Sequence, residues 1–165
     1  MPKLVKNAQV VEHSWVLIRT EEELAAADLT SGQWLVPYSA YIANTEGYKD
    51  ADRFGFWIAS DVDIEQVKAV VKDRNIIAID FPVFADGRGF SLARTLREHT
   101  DFSGEIRAVG NFIFDQIFYM SRCGFDAFEF AEETDVNKAL PFFSTFSESY
   151  QAGTDEPQPL FRRRA

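Results

Sequence analysis

Residues 75–81 have the sequence Asn-Ile-Ile-Ala-Ile-Asp-Phe, an almost continuous apolar run with the length of one strand. A strand without polar alternation is typical of a parallel sheet that is covered on both faces. A glycine-containing turn follows it, and the spacing of apolar residues predicts a helix over about 90–99. This stretch is therefore a β/α unit, and it decides the fold class of the chain.

The same order of strand and helix recurs on both sides of this unit. The predicted strands are 54–59, 105–109 and 125–130, and the predicted helices are 62–73 (with Ser60 or Asp61 as N-cap), 111–122 and 135–150. Repeated β/α units predict an α/β fold with a parallel sheet and right-handed crossovers. We expect four consecutive units from residue 54 onward, after an irregular N-terminal β segment in which residues 13–18 are predicted to form a short strand. Their short length favours a partial (β/α)-barrel-like arrangement, and a small open three-layer sheet is the alternative.

The length of 165 residues predicts one domain, which we place at 1–150. Residues 151–165 are polar and contain prolines, so we expect a flexible C-terminal tail. This tail carries the triplet Arg162-Arg163-Arg164 and follows a strongly acidic stretch. Two interpretations stay open: the triplet folds back onto the acidic surface, or it is a docking peptide for a partner.

The composition disfavours several classes of protein. Lys and Arg number 17 against 26 Asp and Glu, and the resulting charge of −9 disfavours nucleic acid and anionic membranes as partners. Cys123 is the single cysteine, which excludes intramolecular disulfides and multi-cysteine metal or iron–sulfur sites within one chain. We recognise neither a secretory signal nor an apolar run of membrane-spanning length, and we expect a cytoplasmic protein.

Parallel α/β proteins bind ligands beyond the carboxyl ends of their strands. The strand at 76–81 is followed there by Asp86-Gly87-Arg88-Gly89-Phe90-Ser91, where a helix begins. Glycines let the backbone approach an anion, and an arginine binds phosphate, sulfate or carboxylate. We therefore predict an anion site formed by Gly87, Arg88, Gly89, Ser91, Arg94 and Asn111. The alternative is an ordinary tight turn in which Asp86 caps the helix and Arg88 pairs with Asp80 or Asp86.

Charged residues within or beside the apolar strands form a second candidate site, since a charge inside a buried strand is costly unless it is paired. We predict a catalytic site whose carboxylates act as acid or base, formed by Asp80, Asp86, Arg107 and Asp115. The alternative is an internal salt-bridge network among Asp80, Glu105, Arg107, Asp115 and Glu129, with Asp115 paired to Arg107 or Arg94. His13 and His99 lack the spacing of metal ligands, so no metal site is predicted, and Cys123 is expected to be a buried structural thiol.

Two longer motifs are specific: Phe81-Pro82-Val83-Phe84-Ala85-Asp86-Gly87-Arg88-Gly89-Phe90-Ser91-Leu92-Ala93-Arg94 and Gly104-Glu105-Ile106-Arg107-Ala108-Val109-Gly110-Asn111. Together with 115–119 and 122–128, they resemble a bacterial family named domain of unknown function 934, over roughly residues 54–150. The resemblance implies a probable oxidoreductase involved in sulfite reduction, in the context of sulfate assimilation and cysteine biosynthesis. It supplies no established catalytic residues. The chain itself carries no visible cofactor motif, so siroheme and iron–sulfur chemistry would come from a partner such as sulfite reductase.

Three functions follow as hypotheses. The first is an accessory protein or oxidoreductase of assimilatory sulfate or sulfite reduction that binds a small anion or the sulfite reductase. The second is a β/α-type enzyme that uses strand-end Asp and Arg residues on a phosphorylated or carboxylated metabolite. The third is a non-catalytic interaction module that recruits a partner through its acidic surface and its basic tail.

Overall fold

A computed structural model describes residues 2–163 and contains one eight-stranded sheet. The strands are β1 (Lys3–Lys6), β2 (Gln9–Val11), β3 (Trp15–Leu17), β4 (Gln33–Pro37), β5 (Phe54–Ile58), β6 (Ile76–Phe81), β7 (Glu105–Gly110) and β8 (Ala127–Phe130). Their spatial order is β2-β1-β8-β7-β6-β5-β4-β3. Strands β3 to β8 are parallel neighbours in chain order, whereas β1 pairs antiparallel with both β8 and β2.

Helices connect the parallel strands, as the β/α pattern predicts. They are α1 (Glu21–Ala26), α2 (Tyr38–Ala43), α3 (Ile64–Val71), α4 (Arg88–His99) and α5 (Ile117–Arg122), and one further helix, α6 (Leu160–Arg163), follows the last strand. Short 3-10 turns lie at Phe114–Gln116, Val136–Lys138 and Leu140–Ser144. The predicted α/β fold class is confirmed, and the sheet is a curled half-barrel.

The helices from α3 to α5 cover one face of the sheet. Their buried side chains, such as Val67, Leu96 and Ile117, share one apolar core with Ile77 and Ile79 of β6. The alternate residues of the strands point the other way and form a separate, smaller apolar cluster of Leu35, Ile76, Ala78 and Val109 with Trp15, Leu17 and Trp57. We call this second side the inner face. One helical layer outside and a lined inner face are features of the barrel-like arrangement, not of the three-layer sheet.

The curl of the sheet follows from a short connection between its two edge strands. Laid flat, eight strands would hold their outermost members about 34 Å apart. Yet β2 ends at Val11 and β3 begins at Trp15, and four residues span at most about 14 Å. His13 in this connection approaches Arg107 of β7 to 3.4 Å, so the chain passes across the inner face on its way from one edge to the other.

Three predicted helical details differ in the structure. The N-cap of α3 is Asp63, which accepts from the Glu65 backbone N–H, so the proposed caps Ser60 and Asp61 were wrong. The helix expected at 135–150 is replaced by the 3-10 turns at Val136–Lys138 and Leu140–Ser144, because Pro141 has no N–H to continue an α-helix. The helix expected at 111–122 begins as a 3-10 turn and becomes α-helical at Ile117.

The segment after residue 147 contacts both itself and α5. Arg163 donates to Glu148 at 3.0 Å, which is the fold-back onto an acidic side chain that one interpretation predicts. The Thr154 N–H and hydroxyl both donate to the Arg122 carbonyl, at 2.9 and 3.0 Å. Arg164, the last member of the arginine triplet, lies outside the described residues, as do Met1 and Ala165. Among residues 2–163, no helix has the length and apolar character needed to cross a membrane.

Candidate functional site

A cavity of about 740 Å³ lies on the inner face at the carboxyl ends of β6, β7 and β8. Its polar lining consists of His13, Arg19, Asp80, Asn111 and Glu129, and its apolar lining includes Trp15, Leu17, Pro82 and Phe130. This is the place where parallel α/β folds bind ligands. We refer to it as the strand-end cavity.

Backbone geometry at Gly110 shapes the floor of this cavity. Gly110 has φ +92°, a left-handed conformation that an L side chain rarely adopts, and a Cβ there would lie 2.5 Å from the Phe81 carbonyl oxygen. The turn lets Asn111 donate twice to the end of β6: its backbone N–H to Phe81 at 2.7 Å, and its side-chain Nδ2 to the Pro82 carbonyl at 2.9 Å. Asn111, predicted as an anion ligand, thus lines the cavity and ties two strand ends together.

An ion pair between Arg19 and Asp80 lies at the cavity. The Arg19 Nη1 donates to Asp80 Oδ1 at 2.9 Å, and the side chains are 44% and 15% exposed. Arg19 is held in place because Ile18 extends the pairing of β3, donating to the Leu35 carbonyl at 2.9 Å, and accepts at its own carbonyl from Trp57 Nε1 at 2.7 Å. Asp80 was predicted as a site residue, whereas Arg19 was not.

Behind the cavity, Arg107 is the centre of a buried ionic network. Its register partners on β6 and β8 are Ala78 and Ala127, whose small side chains leave room for a guanidinium on the inner face. Arg107 Nε donates to Glu105 Oε1 at 2.8 Å and Nη1 to Glu129 Oε2 at 3.0 Å. The Arg107 side chain is 1% exposed. The predicted internal salt-bridge network is therefore confirmed for these three residues.

Two further groups complete this network. Lys6 of β1 donates to the second carboxylate oxygen of Glu105 at 2.7 Å. Burial raises the pKa of Glu105, but the nearby charges of Arg107 and Lys6 outweigh that effect, so its pKa is lowered overall. His13 Nδ1 lies 3.1 Å from the Trp15 carbonyl oxygen and 3.4 Å from Arg107 Nη1. Glu105 is thus an ionised structural partner, and Arg107 joins it to two cavity residues, Glu129 and His13.

The glycine-containing turn after β6 is occupied by its own side chains. Arg88 Nε and Nη2 donate to the two carboxylate oxygens of Asp86 at 2.9 and 2.8 Å, and the Ser60 hydroxyl donates to Asp86 at 2.5 Å. Hydrogen bonds from Arg88 and then Ser60 hold the pKa of Asp86 far below its usual range, which disfavours it as a general acid or base. The pairing of Arg88 with Asp86 is the alternative that the sequence left open.

The other residues of the predicted anion site have local structural roles. A Cβ at Gly89 would lie 2.6 Å from the Phe81 ring, so this glycine lets α4 pack closely against β6. Arg94 pairs with Glu98 one turn along α4 at 2.8 Å. Ser91 is exposed, and a Cβ at Gly87 would make only ordinary van der Waals contact with the Phe90 ring. Of the ten predicted site residues, Asp80 and Asn111 line the strand-end cavity, and Arg107 contacts its lining.

Asp115 and Cys123 lie away from the cavity. Asp115 is exposed in the turn Phe114–Gln116. Within residues 2–163, Arg107 pairs with glutamates and Arg94 with Glu98, so the predicted pairing of Asp115 with either was wrong. Cys123 is buried, and burial raises the pKa of its thiol, which agrees with a structural thiol. No cluster of His, Cys, Asp or Glu suited to a metal ion occurs in the described part of the chain.

Arg19 and His13 are the cavity residues that sequence reasoning missed. Arg19 is the first residue after the predicted strand at 13–18, so the strand-end rule used for 76–81 points to it as well. His13 offers no such signal, because its contact with Arg107 joins residues 94 positions apart.

The fold and the cavity together define a class: a β/α protein with a curled sheet whose charged side chains gather at the carboxyl ends of its strands. The family described as "Bacterial protein of unknown function (DUF934)" matches residues 55–161, and the chain belongs to this family. The match confirms the resemblance carried by the two long motifs. Comparison with curated proteins and with solved structures gave no match.

Proposed function

We propose that this protein binds a small carboxylated or phosphorylated metabolite in the strand-end cavity and acts as an accessory protein of assimilatory sulfite reduction. The observation that carries the binding role is the Arg19–Asp80 pair at the wall of that cavity. The place in sulfite reduction rests on the family resemblance. An oxidoreductase activity and a complex with sulfite reductase belong to the same proposal.

Arg19 is the cation of this cavity that is free to bind a ligand. A guanidinium has five N–H donors, and within residues 2–163 the guanidinium of Arg19 makes one hydrogen bond, to Asp80. Its remaining donors match the planar fork of a carboxylate or phosphate. Arg107 differs, because it is buried and already bonded to two glutamates.

The dimensions of the cavity favour a metabolite over a bare inorganic anion. Its volume of about 740 Å³ lies in the range of small-molecule sites, about 300–1,000 Å³. Trp15, Leu17 and Phe130 add apolar surface that sulfite or sulfate would leave unused. A ligand with one anionic group and an organic body fits this lining better.

The test compares two arginine variants that differ in location but not in chemistry. The Arg19→Gln and Arg88→Gln proteins are purified with the wild type from bacteria, denatured, and their released small molecules are identified by mass spectrometry. We expect the wild type and Arg88→Gln to release the same carboxylated or phosphorylated metabolite and Arg19→Gln to release none. Retention of that metabolite by Arg19→Gln would remove the basis of the proposed site.

The place in sulfite reduction is tested separately in a bacterium that lacks its own copy of the gene. We expect the wild type and Arg88→Gln to restore growth on sulfate as the sole sulfur source, and Arg19→Gln to fail. All three strains should grow equally on cysteine. Equal growth of the strain without the gene on both sulfur sources would contradict a role in this process.

A β/α enzyme is the second candidate, and the cavity supplies a specific observation in its favour. His13, Asp80 and Glu129 are three titratable groups on the wall of one cavity that also holds an arginine, as acid–base chemistry requires. Conversion of the released metabolite by the wild type but not by His13→Gln, with binding retained in both, would support catalysis. Equal recovery of unchanged metabolite from both would favour binding alone.

A further inference from the structure

We infer that the ligand of the strand-end cavity is a zwitterion of the α-amino acid class. Its carboxylate binds Arg19, and its ammonium group binds Asp80 and Glu129. This inference rests on the proposed function and narrows the ligand of that same site.

The charges on the cavity wall do not suit a purely anionic ligand. The guanidinium of Arg19 and the carboxylates of Asp80 and Glu129 all line the cavity. The neighbouring network adds Lys6 and Arg107 against Glu105, so three cations and three carboxylates balance at and behind the wall. A ligand that brings only negative charge would therefore leave a net negative charge at this partly buried site, whereas a zwitterion keeps it neutral.

Both carboxylates have hydrogen-bonding capacity left over. Asp80 accepts from Arg19 through Oδ1, and Glu129 accepts from Arg107 through Oε2. Within residues 2–163, no hydrogen bond engages Asp80 Oδ2 or Glu129 Oε1. These side chains are only 15% and 9% exposed, yet neither of the two oxygens is fully buried, so a donor from a ligand can reach both. An ammonium group carries three donors and one positive charge, which fits this pair of acceptors.

Exchange of partners explains why both charges belong to one ligand. A ligand carboxylate that binds the remaining donors of Arg19 competes with Asp80 for the positive charge of the guanidinium. A mostly buried carboxylate that loses its counter-charge is strongly destabilised. An ammonium group on the same molecule replaces that counter-charge at once. Arg19 and Asp80 lie in direct contact at 2.9 Å, and the single carbon between the charges of an α-amino acid matches such close binding groups.

The rest of the wall indicates the side chain of the amino acid. Trp15, Leu17, Pro82 and Phe130 line the cavity without a charge among them. An apolar side chain buries its surface against them at roughly 25 cal/mol per Å². We therefore expect amino acids with apolar side chains to bind more tightly than small or charged ones.

The experiment uses titration calorimetry of the full chain with three matched probes: L-leucine, 4-methylpentanoate, which lacks the amine, and 3-methylbutylamine, which lacks the carboxylate. L-alanine and L-phenylalanine serve as smaller and larger zwitterions. We expect L-leucine or L-phenylalanine to bind at least about 10-fold more tightly than either matched single-charge analogue, which corresponds to about 1.4 kcal/mol. Arg19→Gln and Asp80→Asn should each abolish that preference, and Arg88→Gln should retain it. Circular dichroism confirms that each variant is folded.

Other results overturn the inference in distinguishable ways. If 4-methylpentanoate binds as tightly as L-leucine and binding depends on Arg19, the inference of a zwitterion is wrong. The proposed carboxylated ligand then still stands. If 3-methylbutylamine alone binds, through Asp80 and independently of Arg19, both the zwitterion inference and the proposed carboxylated or phosphorylated ligand are wrong. If no probe binds, the inference falls, and the metabolite released from the purified protein decides the proposed function.

Discussion

The molecule contains two arginine–aspartate pairs at the end of β6, and they differ in almost every other respect. Arg88 and Asp86 are two positions apart, bonded through both carboxylate oxygens, with the arginine 61% exposed. Arg19 and Asp80 are 61 positions apart, bonded once, and line a cavity. The local pair is complete in itself, whereas the distant pair leaves donors and acceptors for a ligand. A glycine-flanked arginine at a helix start is therefore weaker evidence for a site than a half-satisfied pair on the inner face.

The contrast extends from these pairs to their surroundings. The inner face places Arg107, Glu105 and Glu129 out of water, where each depends on the others. The turn after β6 keeps its charges at the surface, where solvent screens them. Substitutions on the inner face should consequently lower the free energy of unfolding far more than matched substitutions in the turn.

The largest difference in the free energy of unfolding is expected between the Arg107→Met and Arg88→Met variants. Arg107→Met leaves the buried Glu129 without its cation and Glu105 with Lys6 alone, and it should lower the free energy of unfolding by about 3–5 kcal/mol. Arg88→Met should leave it almost unchanged. Urea unfolding followed by circular dichroism measures both. Adding Glu105→Gln and Glu129→Gln to Arg107→Met should recover part of the loss, and a loss unaffected by them would show that packing, not charge, is responsible.

A smaller effect on stability is expected from substituting Gly110 at the cavity and Gly87 in the turn after β6. Gly110→Ala forces a side chain into φ +92°, 2.5 Å from the Phe81 carbonyl oxygen, and should destabilise the fold by about 1–3 kcal/mol. Gly87 has φ −77°, and a Cβ there would lie 3.7 Å from the Phe90 ring, so Gly87→Ala should be neutral or slightly stabilising. Thermal unfolding of both variants checks this pair, and equal losses would contradict the assigned geometry.

The ionic network also predicts how stability depends on pH. The pKa of Glu105 is lowered in the folded chain from its ordinary value of about 4.5, so its contribution is present above that pH and is lost as pH falls through the folded value. At neutral pH, Glu105→Gln should cost about 1–2 kcal/mol. The difference from the wild type should shrink below about pH 4.5 in urea titrations. A difference that stays constant on acidification would show that the carboxylate charge of Glu105 does not contribute.

The smallest effect is expected at Arg94, a predicted anion ligand on α4. Its pair with Glu98 is exposed and one helical turn long, so Arg94→Gln should cost about 0.3–0.5 kcal/mol. Metabolite content, measured on the purified protein, should match that of the wild type. A loss of bound metabolite in Arg94→Gln would return the predicted anion site to α4.

The regular part of the fold was predictable because its signals are local. The apolar run at 76–81 and its neighbours identify parallel strands directly, and β5 to β8 lie where they were expected. The helix expected at 135–150 was wrong, since Pro141 interrupts a pattern whose apolar residues pack in 3-10 turns instead. The helix α2 was missed because it directly follows Pro37 and lacks a side-chain cap.

The candidate site was only partly predictable, because only some of its residues give a local signal in the sequence. Asp80 and Arg107 stand out in the sequence as charges within apolar strands, and both prove to be on the inner face. Their partners do not stand out, because Arg19 reaches Asp80 and His13 reaches Arg107 only after the sheet has curled. The N-terminal segment looked irregular, yet it supplies part of the cavity wall.

The pairing of β1 with β8 has a consequence for when this part of the chain can fold during synthesis. Lys3 to Lys6 hydrogen-bond with residues 127–130, so the first strand stays unpaired on that edge until the ribosome has released the last one. Bringing β1 and β8 together closes a long loop, and the chain entropy lost in closing it makes this step slow. The cavity, whose wall includes both Pro2 and Phe130, therefore forms late in synthesis, and a chain interrupted before β8 would lack this cavity however well its central β/α units had folded.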